Sequence, residues 1–289
     1  MTTLPNLPAR ARELDLVNKV AVISGASRGI GRAIAFNLAS RGCSILGTCT
    51  SDKGIDSISS TLNNEVTNLA FKSTSRSKPE TLQIKGLVAD IFSSSCASTI
   101  ADEINTSFNG RVDIFINCAC DPIPGVIGEM DATEIQHSLL GNIQTPVLIV
   151  EEFVRRKYFQ KNSRIIYISS IRSRLPWSGQ LIYGAGKSAG ESLCRTWAQA
   201  FGGKEERYAF MEGTTANAVS VGLTETEAVV NCGPEAVEQF QNEFFPTQCI
   251  PRLGQPDDVA DVVGLLSGAD ARWITGSVIS ASGGCVKVG

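Results

Sequence analysis

The chain carries a single histidine, His137, among 289 residues. One imidazole excludes any site that needs two, the HExxH zinc helix included. The nine cysteines are odd in number and contain no CxxC pair. That suits reduced thiols of a cytoplasmic type of compartment better than a disulfide framework. No apolar run approaches the roughly 18 residues of a membrane span. The opening MTTLPNLPARARELDL lacks the apolar core of a secretory signal. Arg10 and Arg12 would suit an organelle presequence, but Glu13 and Asp15 count against one. Charge excess is missing too: 26 Lys+Arg face 29 Asp+Glu, a net charge of −3. Nothing there points to nucleic acid or an anionic membrane as the main partner.

What is present is an ordinary globular composition, 43% hydrophobic and 19% charged, in a chain long enough to bury a large core. Short β-branched runs alternate with helical patterns. Residues 19–25, 43–49, 84–90, 112–117, 164–170, 215–221 and 277–283 read as strands. Helices are predicted over 29–42, about 94–108, about 132–159 and about 183–201. Strands alternating with helices imply right-handed βαβ units, hence an α/β doubly wound sheet of seven parallel strands with helices on both faces. Residues 1–16 read as a tail and 17–289 as one domain. Two polar stretches, 63–83 and 202–214, read as surface insertions.

The first strand runs into Ser24-Gly25-Ala26-Ser27-Arg28-Gly29-Ile30-Gly31, and a helix follows at once. Such glycines permit a tight turn, close backbone approach to a pyrophosphate, and close helix–strand packing. The helix N-terminus adds unpaired N–H groups and a positive dipole end. Farther on, Tyr183 and Lys187 stand one turn apart on a helix face, where an ammonium can stabilise a phenolate. Ser170 ends a buried strand at the sheet edge where open α/β folds bind ligands. Ser169 is its neighbour, turned to the opposite face by strand alternation. Asn142 precedes Pro146 by four residues, so the proline lacks the N–H that an α-helix would give to the Asn142 carbonyl. A carbonyl freed in this way can hold a water.

Together these motifs resemble the short-chain dehydrogenase/reductase family from about residue 17 to the C-terminus. The resemblance implies a single-domain Rossmann fold and a catalytic tetrad of Asn142, Ser170, Tyr183 and Lys187. It implies cofactor contacts from Gly25, Ser27, Arg28, Gly29, Ile30, Gly31, Asp90, Ile91, Asn117, Ala119, Tyr183, Lys187, Thr224 and Thr226. The strand-four end, Asn117-Cys118-Ala119-Cys120, departs from the family pattern at both cysteines, and Val221 replaces a proline. No metal is expected. The end of strand two offers Thr50 and Ser51 and no carboxylate, with Asp52 just beyond. With Arg28 at hand for a 2′-phosphate, this favours NADP(H).

The implied activity is NADPH-dependent reduction of a ketone, with Tyr183 as proton donor. A tailoring enzyme of secondary metabolism acting on an imine or a dearomatised ring is an alternative, and a redox-silent nucleotide-binding scaffold another. Residues 223–250 correspond to a substrate lid, and its Phe240, Phe244 and Phe245 favour a bulky or aromatic substrate. Arg172 or Arg174 could meet an acid. A homodimer or homotetramer is expected, with Val147–Phe153 and Leu193–Phe201 as candidate contact faces.

Overall fold

The computed structural model describes residues 13–123 and 125–287. Seven strands form one parallel sheet in the order β3-β2-β1-β4-β5-β6-β7. They are β1 (Val20–Ser24), β2 (Ser44–Cys49), β3 (Ile84–Val88), β4 (Val112–Asn117), β5 (Phe159–Ser170), β6 (Thr215–Val221) and β7 (Val278–Ala281). The order reverses between β1 and β4, whose C-terminal ends meet at Ser24 and Asn117. This is the switch point where such sheets open a ligand crevice.

Both faces of the sheet are covered, so alternate residues of one strand enter two different cores. Ala21, Ile23, Ile166 and Ile168 pack with Ile34 and Leu38 of α1 (Gly29–Ser40) and with Val263 and Leu266 of α10 (Pro256–Ser267). Val20, Val22, Ile165 and Tyr167 pack on the other side with α4 (Cys96–Phe108), α6 (Thr145–Arg155) and α7 (Leu181–Phe201). Central strands buried on both faces read as continuous apolar runs, which is why the sequence displays them plainly.

Several expectations are corrected. Residues 1–12 of the expected tail lie outside the described residues. Leu16, by contrast, is buried in the core and Asp15 pairs with Arg41, so 13–16 belong to the domain. The stretch 63–83 is not wholly a surface insertion. A helix of mixed α and π turns runs over 52–72, through α2 (Asp52–Asp56) and α3 (Asn63–Glu65). It buries Ile58, Leu62, Val66 and Ala70 at intervals of four, and the polar residues between them face outward. Within 202–214, a 3-10 turn at Glu206–Met211 buries Met211.

The predicted helix 132–159 is in fact α5 (Ala132–Leu139), a π turn at Leu140–Gln144, and α6, which carries on past Pro146 to Arg155. Lys157 then adopts φ 55° and strand five starts at Phe159, across a register shift from the main ladder. In the two expected contact stretches, Ile149, Val150, Phe153, Cys194, Trp197 and Phe201 are buried in this chain's own core, and Glu151, Arg195, Thr196 and Gln199 are exposed.

Candidate active site

At the switch point, Gly25 and Gly29 adopt φ of +72° and +53°, the left-handed region that glycine enters freely. A Cβ on Gly31 would fall 2.2 Å from the Gly25 carbonyl oxygen, so the first turn of α1 closes only around glycine. The Gly25 N–H donates to Thr48 Oγ1 at 3.2 Å, which fastens the turn to β2. Ser24 Oγ accepts from the N–H groups of Cys118 and Ala119, both at 3.0 Å. That draws the end of β4, with buried Asn117, onto the turn, and Ala119 lies against Gly25. No side chain caps α1 and its first turn holds no acid. A backbone cradle with open N–H groups fits a dinucleotide pyrophosphate.

The groups expected around the rest of the nucleotide are placed as follows. Half-buried Ile30 packs against the core and half-buried Ser27 offers its carbonyl to Ser57 Oγ at 2.8 Å. Arg28 is exposed, 3.7 Å from Glu227. Thr50 and Ser51 are exposed at the end of β2, and Ser51 caps α2 through the Gly54 N–H. Asp52 is exposed in the first turn of that helix, a favourable place for an acid. Exposed Asp90 accepts from the Phe92 N–H at 3.1 Å, and the carbonyl of buried Ile91 accepts from Thr145 at 2.7 Å. Thr226 approaches Gly29. Thr224 is buried and its hydroxyl donates inward to the Gly222 carbonyl at 3.0 Å.

The four tetrad positions converge. Ser170, at the C-terminal end of β5, accepts from the Arg172 N–H at 3.2 Å, and its hydroxyl is near enough to the Tyr183 phenol to favour the phenolate. Lys187 is 1% exposed, and its Nζ donates to the Ile168 carbonyl at 2.7 Å. The ammonium lies 5.4 Å from the Tyr183 ring centre and 5.3 Å from that of Tyr167. Burial disfavours the Lys187 charge, but Cys120, Tyr183, Tyr167 and Cys118 around it more than compensate and hold it above the ordinary lysine value. Burial raises the Tyr183 phenol, against the opposing pull of Lys187 and of nearby Ser170. Asn142 is buried, its side chain held by the Asp121 backbone at 2.9 and 3.1 Å and by Ser138 at 3.1 Å.

Other side chains near the tetrad find partners within the chain. Ser169 does not join the tetrad, because its hydroxyl donates to buried Glu191 at 2.8 Å. Arg174 meets the same carboxylate at 3.1 Å, and Arg172 pairs with Glu243 at 2.8 Å. Both arginines therefore face acids of the chain itself. The stretch 223–250, expected to form a lid, comprises α8 (Glu227–Val230) and α9 (Pro234–Phe244). Phe240 and Phe244 of α9 pack on Ile171, Cys285 and Val286.

Three features escaped the sequence reading. Glu191 was discoverable, one turn after Lys187 on the same helix. Tyr167 looked like filler within an apolar strand. The loop after β4 carried no motif, yet hydrogen bonds Gly125–Gly179 (2.9 Å) and Gly125–Leu181 (3.3 Å) join it to the start of α7. Exposed Ile123, Val126, Ile127, Trp177 and Leu181 thereby gather beside the turn that carries Tyr183.

A doubly wound sheet with a glycine cradle at its switch point and a Ser–Tyr–Lys cluster beside it defines a nicotinamide-dependent oxidoreductase. Comparison with known proteins agrees. The family model described as "Enoyl-(Acyl carrier protein) reductase" matches residues 25–286. The chain is 33% identical to the L-xylulose reductase of Aspergillus niger, covering 93% of this chain and 98% of that one. It is 29% identical to the short-chain dehydrogenase/reductase FrzI of Cladobotryum sp, covering 95% and 98%. Among solved structures it is similar to the angucycline C-6 ketoreductase LanV with bound NADP, with TM-score 0.76, 26% identity, and 95% and 98% of the two chains covered. The chain belongs to the short-chain dehydrogenase/reductase family.

Proposed function

We propose that this protein reduces the carbonyl of a bulky, largely apolar small molecule to an alcohol, with NADPH as reductant. The observation that carries this reading is the buried Lys187 ammonium, 5.4 Å from the Tyr183 ring centre, with Ser170 beside the same phenol. The bound cofactor would supply the hydride. Ser170 Oγ–H would donate to the substrate oxygen and stabilise its developing charge. The Tyr183 phenol would give that oxygen its proton. Lys187, fixed on the Ile168 carbonyl, would steady the phenolate left behind and bind the nicotinamide ribose. The glycine turn would hold the pyrophosphate, and Arg28 with Thr50 and Ser51 the 2′-phosphate.

The apolar rim of Ile123, Val126, Ile127, Trp177 and Leu181 favours an apolar substrate body. Similar solved structures hold NADP or NADPH, which supports the cofactor choice. A homodimer or homotetramer working in the cytoplasm completes the reading. Light scattering tests the assembly.

The chemistry is tested by following NADPH oxidation with a panel of aromatic and alicyclic ketones, for wild type and Tyr183→Phe. Turnover in wild type and a loss of about 10²–10⁴-fold in the variant, with NADPH affinity retained, is expected. Turnover of imines alone would overturn the carbonyl assignment, and turnover of nothing would favour a redox-silent scaffold.

A further inference from the structure

Tyr167 lies on β5 three residues before Ser170 and is 1% exposed. Its hydroxyl donates to the Asn142 carbonyl at 3.1 Å, with the Gly186 carbonyl at 3.5 Å. The Asn142 carbonyl is the one that Pro146, lacking an N–H, leaves without its α-helical donor. Around it the chain widens into the π turn at Leu140–Gln144. The Asn142 amide is meanwhile committed to Asp121 and Ser138. The Tyr167 hydroxyl thus joins the π turn to the helix that carries Lys187.

The surrounding glycines serve this contact. A Cβ on Gly190 would lie 2.2 Å from the Tyr167 ring, and one on Gly186 would lie 2.9 Å from Asn142 Cβ. Those glycines flank Lys187 in sequence, so its stretch of α7 rests directly on Tyr167 and Asn142. The Lys187 ammonium stands near both tyrosine rings, an arrangement in which ring faces attract a cation. Burial pushes the Tyr167 phenol up to about 12, so it stays a neutral donor.

We propose that Tyr167 is a positioning residue of the reaction: its hydroxyl closes the Asn142 carbonyl and its ring steadies the Lys187 ammonium against Tyr183. This rests on the reading of Tyr183 as proton donor. If the lysine is displaced, its influence on the phenol weakens. The other titratable groups facing Lys187 and the two tyrosines are Cys118 and Cys120 after β4 and Cys194 of α7, and none of them is replaced in a variant at 167.

The test is Tyr167→Phe in the full chain, with NADPH and the best ketone of the panel. The expected result is a fall in kcat of about two- to tenfold, the worth of one hydrogen bond. The basic limb of the pH profile should move, and NADPH affinity should change little. Wild-type kcat with an unmoved pH profile would overturn the proposal, whatever the Tm. Should the Phe variant not fold, 3-fluorotyrosine at position 167 alone keeps the shape and alters the donor strength. A displaced basic limb then supports the proposal and an unmoved one overturns it. Tyr183→Phe run alongside separates the two claims. Turnover surviving there overturns the proton-donor reading. Its loss there, with wild-type behaviour in Tyr167→Phe, overturns only the role of Tyr167.

Discussion

The Ser169 hydroxyl donates to the Glu191 carboxylate at 2.8 Å, directly behind the strand end that presents Ser170. Ser173 Oγ reaches the same carboxylate oxygen at 2.6 Å and the Ser170 carbonyl at 2.8 Å. Glu191 therefore ties down the turn that follows Ser170. Replacing it by Ala strands the buried Ser169 hydroxyl, leaves Ser173 only the Ser170 carbonyl and takes the partner from Arg174, and should cost about 1–3 kcal/mol, together with a drop in kcat as Ser170 loosens. Glu191→Gln keeps an acceptor and should be milder on both counts. Thermal denaturation and steady-state kinetics of the pair check this, and an alanine variant with wild-type Tm and kcat would refute it.

Cofactor choice is expected to turn on Arg28. A charge-assisted contact to a partly exposed phosphate is worth roughly 1.5–3 kcal/mol, or about ten- to a hundredfold in affinity. Arg28→Ala should remove most of the preference for NADPH and leave NADH binding nearly unchanged. Glu227, 3.7 Å from Arg28, competes for the guanidinium, so Glu227→Gln should modestly tighten NADPH alone. Titration of both cofactors into each variant reads the ratio. A ratio unchanged by Arg28→Ala would show that another group selects the phosphate.

The pH dependence follows from the phenol. As the proposed donor, Tyr183 would act only when protonated, and burial above all holds its value up. Carbonyl reduction should then persist through neutral pH and decline only on the alkaline side, toward the ordinary phenol value of about 10 or beyond. Alcohol oxidation needs the phenolate and should climb as pH rises. Measuring kcat/KM in both directions tests the sign. Reduction that collapses below neutral pH would contradict it.

Lid docking is expected to depend on Arg172. Its guanidinium is buried 5.0 Å from the Trp177 ring centre and 4.8 Å from that of Phe244, and pairs with Glu243 at 2.8 Å. Glu243→Ala leaves that cation without its carboxylate. Because Glu243 is 40% exposed, the loss should be modest, about 1–2 kcal/mol of local stability. Faster proteolysis within 231–250 and a raised KM at nearly constant kcat are expected. Equal cleavage rates in variant and wild type would count against the latch.

The layout of the fold was determined by the sequence alone, because strands buried on both faces leave uninterrupted apolar runs and each βα turn is punctuated by glycine or a polar cap. The glycine turn and the Tyr183–Lys187 pair stood out as motifs because each is a spacing within a single turn of chain, and Ser170 because it ends an apolar strand. Helix 52–72 was hidden, because a stripe of one apolar residue in four among polar ones reads as surface until something packs on it. Only the tertiary structure decided the partnerships between distant elements. Arg172 and Arg174 could have faced a substrate, but Glu243 and Glu191 lie 71 and 17 residues away along the chain and meet them only once lid and helix have packed. Tyr167 became visible in the same way. Its hydroxyl has a use only where the carbonyl of Asn142, 25 residues earlier, is brought beside it, and no local pattern records a contact made across the core.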